Sequence, residues 1–171
     1  MPGPRWLSAE EQRTWRAFLT ANQLLFEQLD HELQRDADIP HGYYEILVRL
    51  SEAPDRTLRM SQLAERSQSS RSRISHAVAR LEETGWVRRE ECPTDRRGLM
   101  AVLTDKGFEA LAAAAPGHVE GVRTHLFDQL SPEQVGQVRA ISEAVCDHLL
   151  RFREEERVAE SGTVRPRPGA D

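Results

Sequence analysis

The chain has 171 residues, of which 39% are apolar and 30% charged, with a mean hydropathy of −0.61. That is one ordinary domain, or one domain with an extension, able to bury a core beneath a polar surface. The longest purely apolar run is Ala110–Ala115, far short of the roughly 18 residues a membrane span needs, and no charged-then-apolar leader opens the chain. Two cysteines, Cys92 and Cys146, build no disulfide framework, so a cytoplasmic protein without a membrane partner is expected. The net charge of −5 speaks against a nucleic-acid partner only as an average. Residues 1–55 hold 5 arginines against 10 acids, residues 56–106 hold 11 basic residues against 7 acids, and residues 107–171 hold 7 arginines against 11 acids. The middle block alone is positive, which points to a negatively charged partner for it.

In chain order, residues 1–7, with Pro2, Gly3 and Pro4, read as a loose N-terminal arm. A helix over 8–36 opens at Ser8, and Glu11 three places on completes a capping box. Trp15, Phe18, Leu19, Leu25, Phe26, Leu29 and Leu33 recur behind it at helical steps, and Asp36, Asp38 and Pro40 end it. A second helix runs from about His41 to Ser51, followed by a turn at Pro54–Asp55. Leu58, Met60, Leu63 and Ala64 suggest a helix of two turns, and Ser67–Ser70 a break. The next helix starts near Ser70, buries Ile74, Ala77, Val78 and Leu81, and stops at Gly85.

Beyond Gly85 the period changes from helix to strand. Trp86–Glu91 and Leu99–Leu103 read as a two-stranded hairpin, with Cys92–Gly98 as its turn. Thr104 caps a long helix interrupted at Pro116–Gly117, where either a kink or a break into two is expected. Ser131, Pro132 and Gln134 start the last helix, whose stripe is Val135, Val138, Ile141, Val145, Leu149 and Phe152. Residues 154–171 gain Gly, Pro and charge and read as a disordered tail. No internal repeat is visible. The fold class is mainly α, with a winged helix-turn-helix lobe over 40–104 and helical regions from both chain ends, 8–36 and 105–153.

Helix, tight turn, helix with a polar outer face, then a basic-tipped hairpin is an arrangement suited to double-stranded DNA. A helix fits the major groove, and base edges are read by side chains near its N-terminus and off its buried face. With Ile74, Val78 and Leu81 inside, the outward set is Arg71, Ser72, Arg73, Ser75, His76 and Arg80. Arg71, Arg73 and His76 have the reach and donors for guanine edges. Ser70, Ser72 and Ser75 suit phosphate oxygens at the positive end of the helix. Arg96 and Arg97 suit the narrow minor groove, with Asp95 orienting one of them.

The run from Ser70 to Val87 resembles the recognition helix of MarR-family transcriptional regulators. Pro93–Gly98, followed by Val102-Leu103-Thr104-Asp105-Lys106-Gly107, resembles that family's wing and the start of its next helix. The family's Asp-x-Arg wing motif falls on Asp95 and Arg97, and the likeness spans about residues 8–153. It implies a homodimer joined by the terminal helices and two recognition helices in successive major grooves of a pseudo-palindromic operator. It also implies a transcription factor, usually a repressor, often relieved by a small phenolic or lipophilic ligand or by oxidation. The residues leave two options for the apolar stripes of 8–34 and 132–153: pairing across a two-fold axis, or packing on each other within one subunit.

In the resembled family, effectors bind between the dimerisation helices and the DNA-binding lobe. By position, Trp15, Phe18, Asn22, His41, Tyr43 and Tyr44 are the candidate lining for a small aromatic or lipophilic effector. The peroxide-sensing branch carries its cysteine near the start of the first helix, where this chain has none. Cys92 lies near Arg88 and Arg89 but also near Glu90 and Glu91, and Cys146 sits beside the stripe of the last helix, so redox sensing is not expected. His118 and His125, and Cys146 and His148, lack the i, i+4 spacing that joins two ligands on one helix face, so no metal is expected. No catalytic motif is present, so neither an enzyme nor a cofactor is expected. The competing reading is a helical ligand- or metal-binding module with no DNA function.

Overall fold

The computed structural model of the chain describes residues 3–92 and 95–162, with the side chains of 95–97 and 160–162 outside the described set. The chain divides into two units, Met1–His125 and Leu126–Asp171. In the first unit, helix α1 spans Ala9–Ala37. Its start is the capping box read from sequence: the Glu11 amide donates to Ser8 Oγ at 3.2 Å, and the Ser8 amide donates to Glu11 Oε2 at 2.7 Å. Two orphan amides at the helix start are thereby satisfied. Asp38 closes the helix in the left-handed region. Helix α2 spans His41–Ser51, and its first amide, on His41, donates to Asp30 of α1 at 2.7 Å. A carboxylate is thus held against the positive end of α2.

After a 3-10 turn at Pro54–Arg56 comes strand β1, Thr57–Arg59, then helix α3, Met60–Arg66, and helix α4, Arg71–Glu83. Strands β2, Val87–Cys92, and β3, Asp95–Leu103, form the hairpin, and helix α5 runs from Asp105 to His125. The three strands pair antiparallel in the order β1-β3-β2, with Leu58 opposite Ala101, Val87 opposite Leu103, and an irregularity between Glu91 and Cys92. Leu47, Leu50, Leu63, Val78, Leu81 and Ala101 are wholly buried at the centre, and Ile39, Ile74, Val87, Leu103 and Leu111 surround them. The core therefore draws on α2, α3, α4, the sheet and α5.

The second unit holds a 3-10 turn at Phe127–Gln129 and helix α6, Pro132–Gly162. Its cap matches the sequence: the Gln134 amide donates to Ser131 Oγ at 3.2 Å, and the Ser131 amide to Gln134 Oε1 at 2.8 Å.

The mainly α, winged-helix architecture agrees with the sequence; three details differ and one alternative is decided. The wing is part of a three-stranded sheet, because Leu58 lies in strand β1 and not in a helix. The hairpin strands are longer than expected: Cys92 and Asp95–Gly98 are in strands, while residues 93–94 of the expected turn lie outside the described residues. Of the kink or break expected at Pro116–Gly117, the break does not occur: helix α5 is one element through Pro116. Its buried residues Leu111, Ala114 and Gly121 keep one stripe in phase across the proline, so burial holds the helix together where one backbone bond is missing. Finally, α6 continues through residues 154–162, part of the expected tail. The remainder of that tail, 163–171, lies outside the described residues.

Candidate nucleic-acid interface

Helix α4 is amphipathic for a local reason, since Ile74, Val78 and Leu81 sit at steps of four and three and all three are buried. Ser70, Arg71, Ser72, Arg73, Ser75, His76 and Arg80 are all exposed. Ser70 is the N-cap: its Oγ accepts from the Arg73 amide at 3.2 Å. Its hydroxyl proton remains available to donate, so capping does not remove it from the phosphate-binding set.

Ion pairing sorts the arginines of the positive block. Arg80 is tied to Glu83 at 2.8 Å, Arg88 to Glu90 at 2.5 Å, and Arg56 to Asp105 at 3.1 Å. Arg89 is held most firmly, its side chain meeting Glu82 at 2.6 and 2.8 Å and its amide meeting the same carboxylate at 3.0 Å. Those bonds hold the Glu82 carboxyl below its ordinary range. By contrast, Arg71, Arg73 and Arg66 make no ion pair among the described residues. Arg80, grouped by sequence with the outward arginines, is the one of that helix already partnered. Arg66, in the last turn of α3, is an exposed cation that the sequence reading passed over. Nothing in a linear sequence separates a free arginine from a paired one when the partner is seven or 49 positions away.

Arg96 and Arg97 lie at the start of β3 with Asp95. Their side chains fall outside the described residues, as does any bond between Asp95 and an arginine.

The six proposed effector contacts do not come together. Trp15 and Phe18 stack on each other at 6.2 Å and are about half exposed. Asn22 donates to the Phe18 carbonyl at 2.8 Å. Tyr43 lines an open groove with Arg73, His76 and Arg80. His41 and Tyr44 instead flank His118 of α5, with ring centroids 5.6 and 4.5 Å away. Spacing along α1 and α2 cannot predict this, because the two helices present different faces to α5.

A cavity of about 240 Å³ does exist elsewhere, lined by Leu29, Leu33, Ile39, Trp86, Ala114 and His118 among others, with Glu32 and Asp36 at its wall. None of the six lines it. Glu32 accepts from Gln28 at 2.7 Å and pairs with His125 at 2.8 Å, which holds its carboxyl below the usual range. His118 Nδ1 is buried without a hydrogen-bond partner. Burial and the nearby His41 push its pKa down.

Of the two thiols, Cys92 is buried and Cys146 exposed. Among the described residues no cluster of three or more His, Cys, Asp or Glu side chains has the geometry to hold a metal. No helix there is long and apolar enough to cross a membrane.

The family profile described as MarR family matches residues 37–98, from the end of α1 into β3. The regulator PecS of Dickeya dadantii is 32% identical over 54% of this chain, which spans 55% of PecS. Two Streptomyces coelicolor structures share the fold closely. Sco3205, a MarR family transcriptional regulator solved in complex with DNA, has a TM-score of 0.83 at 54% identity, covering 86% of this chain and 92% of Sco3205. AbsC, also a MarR family transcriptional regulator, has a TM-score of 0.81 at 44% identity, covering 85% of this chain and 98% of AbsC. With identity above half to a regulator covered over nearly its full length, this chain belongs to the MarR family of transcriptional regulators.

Proposed function

We propose that the chain is a homodimeric, sequence-specific DNA-binding repressor of the cytoplasm whose grip on a pseudo-palindromic operator is modulated by a small ligand. The observation that carries the reading is the outer face of α4. Arg71, Arg73 and His76 stand exposed on the N-terminal half of a helix capped by Ser70, and neither arginine is in an ion pair among the described residues. Long donors without an internal partner, at the positive end of a helix, suit base edges and phosphates. Ser72 and Ser75 join them at the backbone, and Arg96 and Arg97 serve the minor groove from the wing. Sco3205 in complex with DNA supports the assignment at 54% identity.

Dimerisation is supported by apolar side chains left open on the terminal helices. Trp15, Phe18, Leu24 and Phe26 of α1 are exposed, as are Ile141, Val145, Leu149 and Phe152 of α6. A single chain rarely leaves so much apolar surface in water without a partner. Effector binding is assigned to the cavity of about 240 Å³ beside Trp86 and His118, whose apolar walls suit a small aromatic or lipophilic molecule.

A gel-shift assay with DNA upstream of the chain's own gene tests the reading. Retardation that weakens steeply as salt rises is expected, because phosphate contacts release counterions. Absence of salt-dependent binding to any duplex would sink it.

A further inference from the structure

The motif Thr104-Asp105-Lys106-Gly107, which opens α5, is left without a role by the DNA contacts above. Its surroundings supply one. Helix α4 ends on Gly85 at φ +77°, with the Gly85 amide donating to the Glu82 carbonyl at 2.9 Å and the Trp86 amide to the Leu81 carbonyl at 3.0 Å. This is a Schellman ending, which still leaves later carbonyls at the negative end of the helix without partners. The α5 motif meets them. Lys106 Nζ donates to the Thr84 carbonyl at 2.8 Å, and Thr104 Oγ1 lies 2.8 Å from the Gly85 carbonyl and 3.1 Å from that of Trp86. The Thr104 amide donates to the Trp86 carbonyl at 3.0 Å.

The same threonine starts α5, its Oγ1 accepting from the Gly107 amide at 3.0 Å. Gly107 is required by the close approach, since a Cβ there would stand 2.1 Å from the Trp86 carbonyl oxygen. Asp105 pairs with Arg56, whose guanidinium lies 3.9 Å from the centre of the Phe108 ring. Every residue from Thr104 to Phe108 is thus engaged with the end of α4 or with the turn before β1.

We infer that the Thr104–Gly107 corner is a socket that sets the angle of α4 on DNA, with Lys106 a positioning residue for operator choice. Lys106 is the only lysine in the chain, and its ammonium faces the negative end of α4. It is exposed, but its cation is spent on a carbonyl, whereas a phosphate ligand would keep it free. The N-terminal half of α4, which carries Arg71, Arg73 and His76, is the far end of a rigid rod of 13 residues. Loosening the socket lets the reading end tilt: base-edge contacts, which need exact geometry, are lost, while the serines and long arginines of the same end still reach phosphate oxygens. Specific binding then suffers and non-specific binding does not.

The inference rests on the DNA-binding reading above, and the test separates the two. Affinity is measured across a salt series for the duplex that the wild-type chain selects from a random pool, and for a shuffled duplex of equal composition. Lys106→Met is expected to weaken the selected duplex about tenfold, with the shuffled duplex, the salt slope and the melting temperature unchanged. Lys106→Arg restores binding, because it keeps a donor cation over Thr84. Without DNA, amide exchange at Gly85, Trp86 and Thr104 quickens about tenfold in Lys106→Met as the corner opens. Equal weakening on both duplexes, with a slope smaller by about one phosphate contact, would make Lys106 a direct phosphate ligand and overturn the inference. Unchanged affinity for the selected duplex overturns it too. A wild-type chain that binds no duplex defeats the DNA-binding reading instead, and the exchange experiment then judges the socket, which unchanged rates reject.

Discussion

Helices α4 and α6 carry similar apolar stripes and meet opposite fates. In α4, Ile74, Val78 and Leu81 are at most 3% exposed. In α6, Val138, Ile141, Val145, Leu149 and Phe152 are between 43% and 60% exposed in the single chain. A helical apolar period therefore announces that a face wants covering and says nothing about what covers it. For α4 the cover is α3 and strand β2. For α6 we propose a second copy of the chain.

The comparison can be broken at its buried side first. Leu81→Ala should cost about 2–5 kcal/mol, seen as a lowered melting temperature in calorimetry, and should take operator binding with it. A loss below about 1 kcal/mol would mean that α4 is held by something other than its stripe. On the exposed side, Ile141→Asp with Leu149→Asp should leave helical circular dichroism intact and weaken dimerisation by about 100-fold or more, each buried leucine or isoleucine contributing about 1.5–3 kcal/mol. Sedimentation reads this directly, and a wild-type chain already monomeric at micromolar concentration would contradict the proposed cover.

The two faces of α4 itself make the next contrast. Arg73→Ala on the outer face should leave stability alone, cost about 1–3 kcal/mol in operator binding and relax sequence choice. Arg97→Ala should weaken selected and shuffled duplexes alike and lower the salt slope by about one. Competition binding with both duplexes separates these outcomes.

The smallest effect concerns the contact of α5 with α2. Burial and His41 lower the folded-state pKa of His118 below its ordinary 6.5, so the neutral ring is the form the fold prefers. Glu32 and Glu45 oppose the shift without reversing it. The contribution is fully present above the unfolded pKa and is lost as pH falls through the folded one. Stability should therefore decline on acidification below about pH 6.5, and His118→Phe should flatten that decline in melts taken across the range.

Local chemistry was legible in the sequence. The capping boxes at Ser8–Glu11 and Ser131–Gln134, the stop at Gly85 and the buried stripe of α4 each depend on residues within a few positions of one another. Strand β1 was not legible: three residues have no period to read, and Leu58 is a strand residue because β3, some 40 positions on, offers it Ala101. Nor was the cavity, whose walls come from α1, Ile39 in the link to α2, Trp86 beyond the end of α4, and α5. At Pro116 the sequence left a kink or a break open, and the continuity of the helix was decided by a stripe buried on both sides of the proline.

Amphipathic faces, caps, stops and the acid–base–acid distribution of charge were determined by the sequence alone, because each is a property of neighbouring residues. The tertiary structure decided which arginines are spent on Glu82, Glu83, Glu90 and Asp105 and which stay free on α4. It also decided which face of His118 is dry, and that Lys106 reaches 22 positions back to the end of α4. Ion pairs and burial depend on distance in space, and distance in space is settled only when the whole core has closed.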